Sequence, residues 1–235
     1  VQLKHTVDPN LLFQDYKYAS STVVSLVEHF ENYAVDLYEK GIKGKCLELG
    51  SNDGILLKEF KKLGYSVLGV EPAKNLAKIA NDRGLETIPV FFNKEEGIKI
   101  TKERGKFNLI TANNIYAHVS DLHSVTQGVV SCLDRDGVFV FENAYLIDTL
   151  KGLYFDQIYL EHLYYHSIQP LANFLEGYGL QIFNILHNQN QGGSIRVFVK
   201  FASSKKWTVN KEVIDRYLDK ESSLLSRGLI NDFNS

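Results

Sequence analysis

Cys46-Leu47-Glu48-Leu49-Gly50-Ser51-Asn52-Asp53-Gly54 is an apolar run that ends in an acidic, glycine-bearing turn. Residues 54–63, which follow it, have helical spacing up to Gly64. Strand, turn and helix in that order form the ligand-binding unit of doubly wound sheets, where ligands sit outside the carboxyl ends of the strands. Gly50 and Gly54 let the backbone turn sharply and come close to a ligand.

Working outward, the same alternation continues. Residues 45–49, 65–70, 85–90, 107–112 and 137–142 are predicted strands, and 73–83, 94–103 and 122–133 are predicted helices. That order argues for a mostly parallel sheet with helices on both faces. Upstream, 1–20 is an extended or irregular lead. Residues 21–40 repeat apolar positions at helical spacing, with Ser20 and Ser21 as caps and Gly41 as the stop. Downstream, 146–165 is rich in Tyr and Phe without a clean period, and 168–178 reads as a helix. Residues 180–187 and 194–201 read as a hairpin around Gly192-Gly193, which suits an antiparallel edge on a parallel sheet. A helical stretch over 209–225 follows. The expected organisation is a lead and helix over 1–40, a cofactor-binding core over 41–202, and a helical segment over 203–235 leading to a domain not contained in the chain.

The turn itself selects a ligand. A diphosphate-binding turn reads G-x-G-x-x-G, whereas this one reads E-x-G-x-x-x-G. The Glu48 carboxylate would repel a diphosphate and suits a cationic amino-acid ligand. Glu71, followed by Pro72, closes the next strand, where a carboxylate can accept both hydroxyls of a ribose. The two acids together point to S-adenosylmethionine, with S-adenosylhomocysteine as product. Gly50, Ser51, Asn52 and Gly54 are expected to hold it, as are Glu71 and Pro72. Phe92, Asn113 and Asn114, after the third and fourth strands, are expected near the adenine and the methionine moiety.

Composition excludes several classes. Of the 235 residues, 44% are hydrophobic, enough for a large core rather than a disordered chain. The net charge is -2 and the charges are mixed, so there is no phosphate-neutralising stripe for nucleic acid. No apolar run has the length of a membrane span. Two isolated cysteines, Cys46 and Cys132, make neither a disulfide framework nor a zinc site, and a cytoplasmic protein is expected. His162 and His166 have helical i, i+4 spacing but no third ligand, so no metal is expected.

The strings ELGSNDG, GVEPA, ANNIYAHV, YLEH and QGGSIRVFV resemble the sugar C-methyltransferase family, over most of the chain. The resemblance implies a class I, Rossmann-like S-adenosylmethionine-dependent methyltransferase that adds a methyl group to a carbon of a nucleotide-linked 4-keto deoxysugar. Members of that family resemble a three-part protein, with a zinc-binding domain before the core and an α/β domain after it. Val1-Gln2-Leu3 resembles the end of the zinc domain, and the chain stops near where the last domain would begin. At the second place of Y-x-E-H stands Leu160, where a polar residue is common.

Carbon methylation needs a base beside a ketone and a donor for the enolate oxygen. On the resemblance, His162 is the expected base, with Glu161 to orient or polarise it and Tyr159 to donate to the keto oxygen. His118 is the second candidate for proton handling, and Tyr18, with Tyr16, is expected to close over the pocket. The readings set against this one are O- or N-methylation of another small molecule, a nicotinamide oxidoreductase, which Glu48 disfavours, and a non-catalytic binding module.

Overall fold

The computed structural model describes residues 7–226, apart from 14, 15, 17, 18 and 160. Its helices, in chain order, are α1 (Pro9–Phe13), α2 (Val24–Glu39), α3 (Ile55–Lys62), α4 (Lys74–Asp82), α5 (Lys94–Arg104), α6 (Leu122–Cys132), α7 (Leu146–Lys151), α8 (Ile168–Glu176) and α9 (Lys211–Ser226). The strands are β1 (Lys45–Leu49), β2 (Ser66–Val70), β3 (Thr87–Ile88), β4 (Phe107–Asn113), β5 (Leu133–Ala144), β6 (Leu180–Asn188) and β7 (Ser194–Phe201). They form one sheet in the order β3-β2-β1-β4-β5-β7-β6. β1 runs parallel to β2 and β4, β2 parallel to β3, and β6 and β7 form an antiparallel hairpin. This is the expected α/β class, with the strand order reversing between β1 and β4, where such sheets bind ligands.

Compact packing divides the chain into two units. One comprises 7–112 and 121–139. In it β1 is buried at four of five positions, Cys46 through Leu49, as a central parallel strand should be. α2 buries Phe30, Tyr33, Ala34 and Leu37 along one stripe, and Tyr33 meets Phe60 of α3 edge-on, with centroids 6.4 Å apart. α2 starts later than expected. The cap at Val23 has no side-chain bond, because Ser21 Oγ donates instead to Asp53. The lead contains α1, whose Phe13 sits edge-on to Phe91 with centroids 6.4 Å apart. α5 and α6 pack closely at Gly97, where a Cβ would lie 2.6 Å from Gly128 Cα.

The other unit comprises 113–120 and 140–226. Its Tyr- and Phe-rich stretch opens with the six-residue helix α7 and continues through a single 3-10 turn at Phe155–Gln157. Glu142 of β5 and Arg196 of β7 form a buried ion pair, with Nε donating to Oε2 at 2.9 Å. β6 shifts register between Ile182 and Asn184, and Phe183 there stacks on Trp207 with centroids 5.9 Å apart. Glu221 of α9 is buried, accepts from Tyr145 Oη at 2.9 Å, and caps α8 through the amides of Ile168 and Gln169 at 2.6 and 3.0 Å. Gly192 and Gly193 make the expected tight turn. A Cβ on Gly193, at φ +126°, would lie 2.6 Å from Asp148.

Candidate functional site

Most of the expected cofactor residues fall in the first unit. Gly50, at φ 64°, follows β1, and its amide donates to Val70 O at 2.8 Å, which folds the turn over the end of β2. Asn52, at φ 50°, is the pivot of the turn. Its amide donates to Glu71 Oε2 at 2.8 Å, and its Oδ1 accepts from the amides of Ser20 and Asp53, both at 2.9 Å. Glu71 Oε1 accepts from Ala73 N at 2.9 Å across Pro72. Each carboxylate oxygen thus holds one backbone amide and keeps lone-pair capacity for a hydroxyl. Burial raises the Glu71 pKa, and the amides of Ala73 and Asn52 pull it back.

Glu48 is 3% exposed. Burial first, then Glu71, holds its carboxyl well above the usual carboxylate range; a backbone bond from Leu57 opposes this, and Asp53 adds to it. Leu57 lies in the first turn of α3, so Glu48 caps that helix through one oxygen. Its Oε2 is buried and has no partner, and neither does Ser51 Oγ. A buried carboxyl whose second oxygen is unpaired, beside another acid, is the electrostatic complement of a cationic group. On these observations the residues fit an amino-acid sulfonium cofactor.

Gly54, at φ 83°, opens α3, but the place of its Cβ is taken by Leu85, 2.6 Å away. Its bareness therefore serves packing between α3 and the approach to β3. Phe92 sets its ring against Gly128 of α6, where a Cβ would lie 2.8 Å from it. Asp53, which the motif does not single out for a ligand, is fully buried and tied to Arg83 Nη1 at 3.0 Å. Sequence gives no sign of that pair, because Arg83 lies at the far end of α4.

The second unit holds the remaining residues. Asn114, at φ 54°, donates its amide to Glu142 O at 2.7 Å. Both amide atoms of the Asn113 side chain are buried without a partner. The same is true of Asn143 at the end of β5, a residue 1% exposed and not anticipated from sequence. A polar residue closing an apolar strand was its only signal.

Tyr159, His162 and His118 come together. The rings of His118 and His162 are 5.0 Å apart, and those of Tyr159 and His162 are 4.1 Å apart. Tyr159 Oη lies 2.8 Å from His162 Nε2, and His162 Nδ1 lies 2.9 Å from Gln157 O. Burial lowers the His162 pKa, opposed by the Gln157 carbonyl and the Glu161 charge. Burial and the neighbouring His162 hold His118 at about 3, and its Nε2 is buried with no partner. His166 does not join them. Its Nε2 donates to Tyr116 O at 3.2 Å, inside the core. Tyr18 lies outside the described residues, as does Leu160; Tyr16 accepts through its carbonyl from Asn75 Nδ2 at 2.9 Å. Among the described residues no group of three His, Cys, Asp or Glu is placed to hold a metal ion, and no helix is long and apolar enough to cross a membrane.

A family model described as a methyltransferase domain matches residues 27–185. The C-methyltransferase NovU of Streptomyces niveus is 38% identical over 86% of this chain and 49% of its own length. The chain spans about half the length of the curated relatives it matches. Among solved structures, the PH0226 protein of Pyrococcus horikoshii OT3 superposes with a TM-score of 0.59 at 17% identity, over 83% of this chain and 96% of that one. The magnesium protoporphyrin IX methyltransferase of Synechocystis PCC 6803 with bound SAH gives 0.56 at 13% identity, over 74% and 82%. These likenesses establish a shared fold, and the family match establishes membership: the chain belongs to the S-adenosylmethionine-dependent methyltransferases, as a methyltransferase domain of class I fold.

Proposed function

We propose that the protein transfers a methyl group from S-adenosylmethionine to a carbon beside the ketone of a nucleotide-linked 4-keto deoxysugar. The observation that carries the reading is the proton-handling cluster of Tyr159, His162 and His118 in a methyltransferase domain. The 38% identity to a protein named as a C-methyltransferase supports carbon as the acceptor atom.

The cofactor supplies an electrophilic methyl group. In the proposal Glu48 receives its cationic amino-acid end, Glu71 its ribose hydroxyls, and the Gly50-Ser51-Asn52 turn approaches it by backbone. Pro72 and Phe92 shape the adenine side, and Asn113 and Asn114 are proposed for the methionine moiety. A sugar ketone acidifies its neighbouring C–H, and His162, kept neutral by burial, supplies the basicity that removes the proton. Glu161 stabilises the positive charge that His162 gains, since its coulombic effect raises the imidazole pKa. His118 stays uncharged and is proposed as a hydrogen-bonding partner for the substrate. Tyr18 is proposed to cover the sugar. The acceptor is a small molecule rather than nucleic acid, and cytoplasmic chemistry is part of the proposal.

The test is exchange of the substrate proton with heavy water. His162→Ala in the full-length protein is expected to slow that exchange by about 10²–10⁴-fold, the usual cost of losing a general base, while the dissociation constant for S-adenosylmethionine stays within about threefold. Exchange at the wild-type rate removes His162 from the chemistry. Methylation of oxygen or nitrogen without any exchange refutes the reading as a whole.

A further inference from the structure

Asn143 is the residue before the last of β5. It is 1% exposed, and neither its Oδ1 nor its Nδ2 has a partner among the described residues. Both ends of the amide are unpaired, so the observation holds whichever way the amide is turned. A buried amide in this state opposes folding, and an apolar side chain of similar size would not. A residue that works against the core in this way marks a place kept for a ligand.

The packing around β5 shows where Asn143 points. Side chains alternate along a strand, so Asn143 shares one face of β5 with Phe141 and Tyr145. The Tyr116 ring packs on Phe141, with centroids 4.8 Å apart. Tyr145 is bridged to His166, whose carbonyl accepts from Leu146 N at 3.0 Å. Those two neighbours are themselves tied together. His166 Nε2 donates to Tyr116 O at 3.2 Å, and Ala117 O accepts from the amides of Leu163 and Tyr164 at 2.9 and 3.1 Å. Asn143 thus lies under the junction of 116–118 with 162–166, the two segments that carry His118 and His162. His118 Nε2, also buried without a partner, belongs to the same junction.

The chemistry of the amide selects what it binds. It presents one acceptor and a donor side by side. A ketone or enolate oxygen only accepts, and would leave Oδ1 unpaired. Two neighbouring hydroxyls of a sugar ring satisfy both ends, one donating to Oδ1 and the other accepting from Nδ2. On a 4-keto-6-deoxy ring linked to its nucleotide through carbon 1, carbons 2 and 3 are the neighbouring pair that can carry them.

We infer that Asn143 is a specificity-determining residue that grips the 2,3-diol of the acceptor sugar. The inference rests on the reading of the acceptor as a nucleotide-linked 4-keto deoxysugar and deepens it. His162 remains the base, and Asn143 takes no proton. Holding the diol fixes the ring at carbon 3, next to the ketone, and so orients the carbon beside the ketone. Both amide atoms are covered in the free protein, and in the proposal rotation of side chains admits the diol, a common scale of change on binding. The site then rejects a 2-deoxy sugar, because that ligand leaves one end of a buried amide unpaired.

The test compares two nucleotide-linked 4-keto-6-deoxy sugars, one with the 2,3-diol and one lacking the 2-hydroxyl, as acceptors for the full-length protein with S-adenosylmethionine. Wild type is expected to favour the diol by about 10²-fold in kcat/KM. Asn143→Leu is expected to bring the two sugars within about threefold of each other by losing activity on the diol, with cofactor affinity unchanged. Asn143→Ala, which adds no volume, carries the same comparison if the Leu variant does not fold. A wild-type preference below about threefold, or for the 2-deoxy sugar, overturns the inference and leaves carbon methylation standing. So does a preference that both variants keep. Methyl transfer to oxygen or nitrogen of both sugars, with none to carbon, refutes the carbon-methylation reading and the diol grip with it.

Discussion

Glu71 holds Asn52 by its backbone: the Asn52 amide donates to Glu71 Oε2 at 2.8 Å, so the acid that ends β2 braces the turn that follows β1. Asn52 sits at φ 50°, in the left-handed region that Asn enters more readily than most L residues. The same residue accepts the Ser20 amide, which ties the lead to the turn.

Removing the brace has two effects. Glu71→Ala removes the carboxylate to which the amides of Asn52 and Ala73 donate, the second of these bonds being buried, and removes the proposed ribose partner. Cofactor affinity is expected to fall by about 1–3 kcal/mol, the range for unpaired buried groups. Calorimetric titration with S-adenosylmethionine reads this directly, and an unchanged dissociation constant places the ribose elsewhere.

Glu48 gives a pH dependence. Its folded pKa is raised well above the carboxylate range, chiefly by burial and then by Glu71. The folded state thus holds a proton that the unfolded state loses near pH 4.3. The stability from this group is complete below that value and is lost as pH rises toward the folded pKa. Glu48→Gln keeps an acceptor for the Leu57 amide and removes the ionisation. Its melting temperature is expected to match wild type at pH 4 and exceed it at pH 7. Cofactor binding to wild type is expected to release a proton that the variant does not, which titration in buffers of different ionisation enthalpy will show.

His166 acts in the opposite direction. Burial holds its pKa down at about 4, against the pull of the Tyr116 carbonyl. Below about pH 6.5 the unfolded state takes up a proton that the folded state refuses, so stability falls by about 1.4 kcal/mol per pH unit until pH reaches the folded value. His118, held at about 3, adds to the same slope. Denaturant melts between pH 7 and pH 4 are expected to show this slope, and His166→Asn to flatten it. A slope unaffected by that substitution contradicts the assignment.

Glu221 fastens α9. Glu221→Ala leaves the Tyr145 hydroxyl and the amides of Ile168 and Gln169 without their acceptor, in a place 2% exposed. A loss of about 2–4 kcal/mol is expected for several buried donors left unpaired, together with protease cleavage near α9. Wild-type resistance and melting would show that α9 is held by its apolar face.

Much of the fold was legible in the sequence because parallel strands are short apolar runs punctuated by glycine. β1, β7 and the helices from α3 to α6 stand within two residues of expectation. The misses have local causes. β3 shrinks to Thr87–Ile88, since an edge strand needs few ladder bonds. β5 begins at Leu133, ahead of the apolar run, through the polar residues Asp134, Arg135 and Asp136. α7 was hidden because its six residues, Leu146–Lys151, are too few to display a 3.6-residue period. In the candidate site, Glu48 and Glu71 were readable from strand ends. The Gln157 carbonyl 2.9 Å from His162 Nδ1 was not, because a backbone acceptor leaves no trace in residue type. Asn143, with its unpaired buried amide, stayed unseen for want of a motif.

The most direct test of the central claim is where the methyl group goes. The full-length protein should be given methyl-carbon-13 S-adenosylmethionine and a nucleotide-linked 4-keto deoxysugar, and the product read by carbon-13 NMR. A labelled methyl bonded to the ring carbon beside the ketone is the predicted result. A labelled methoxy or N-methyl group, or label remaining on the cofactor with folded, cofactor-binding protein present, would contradict it.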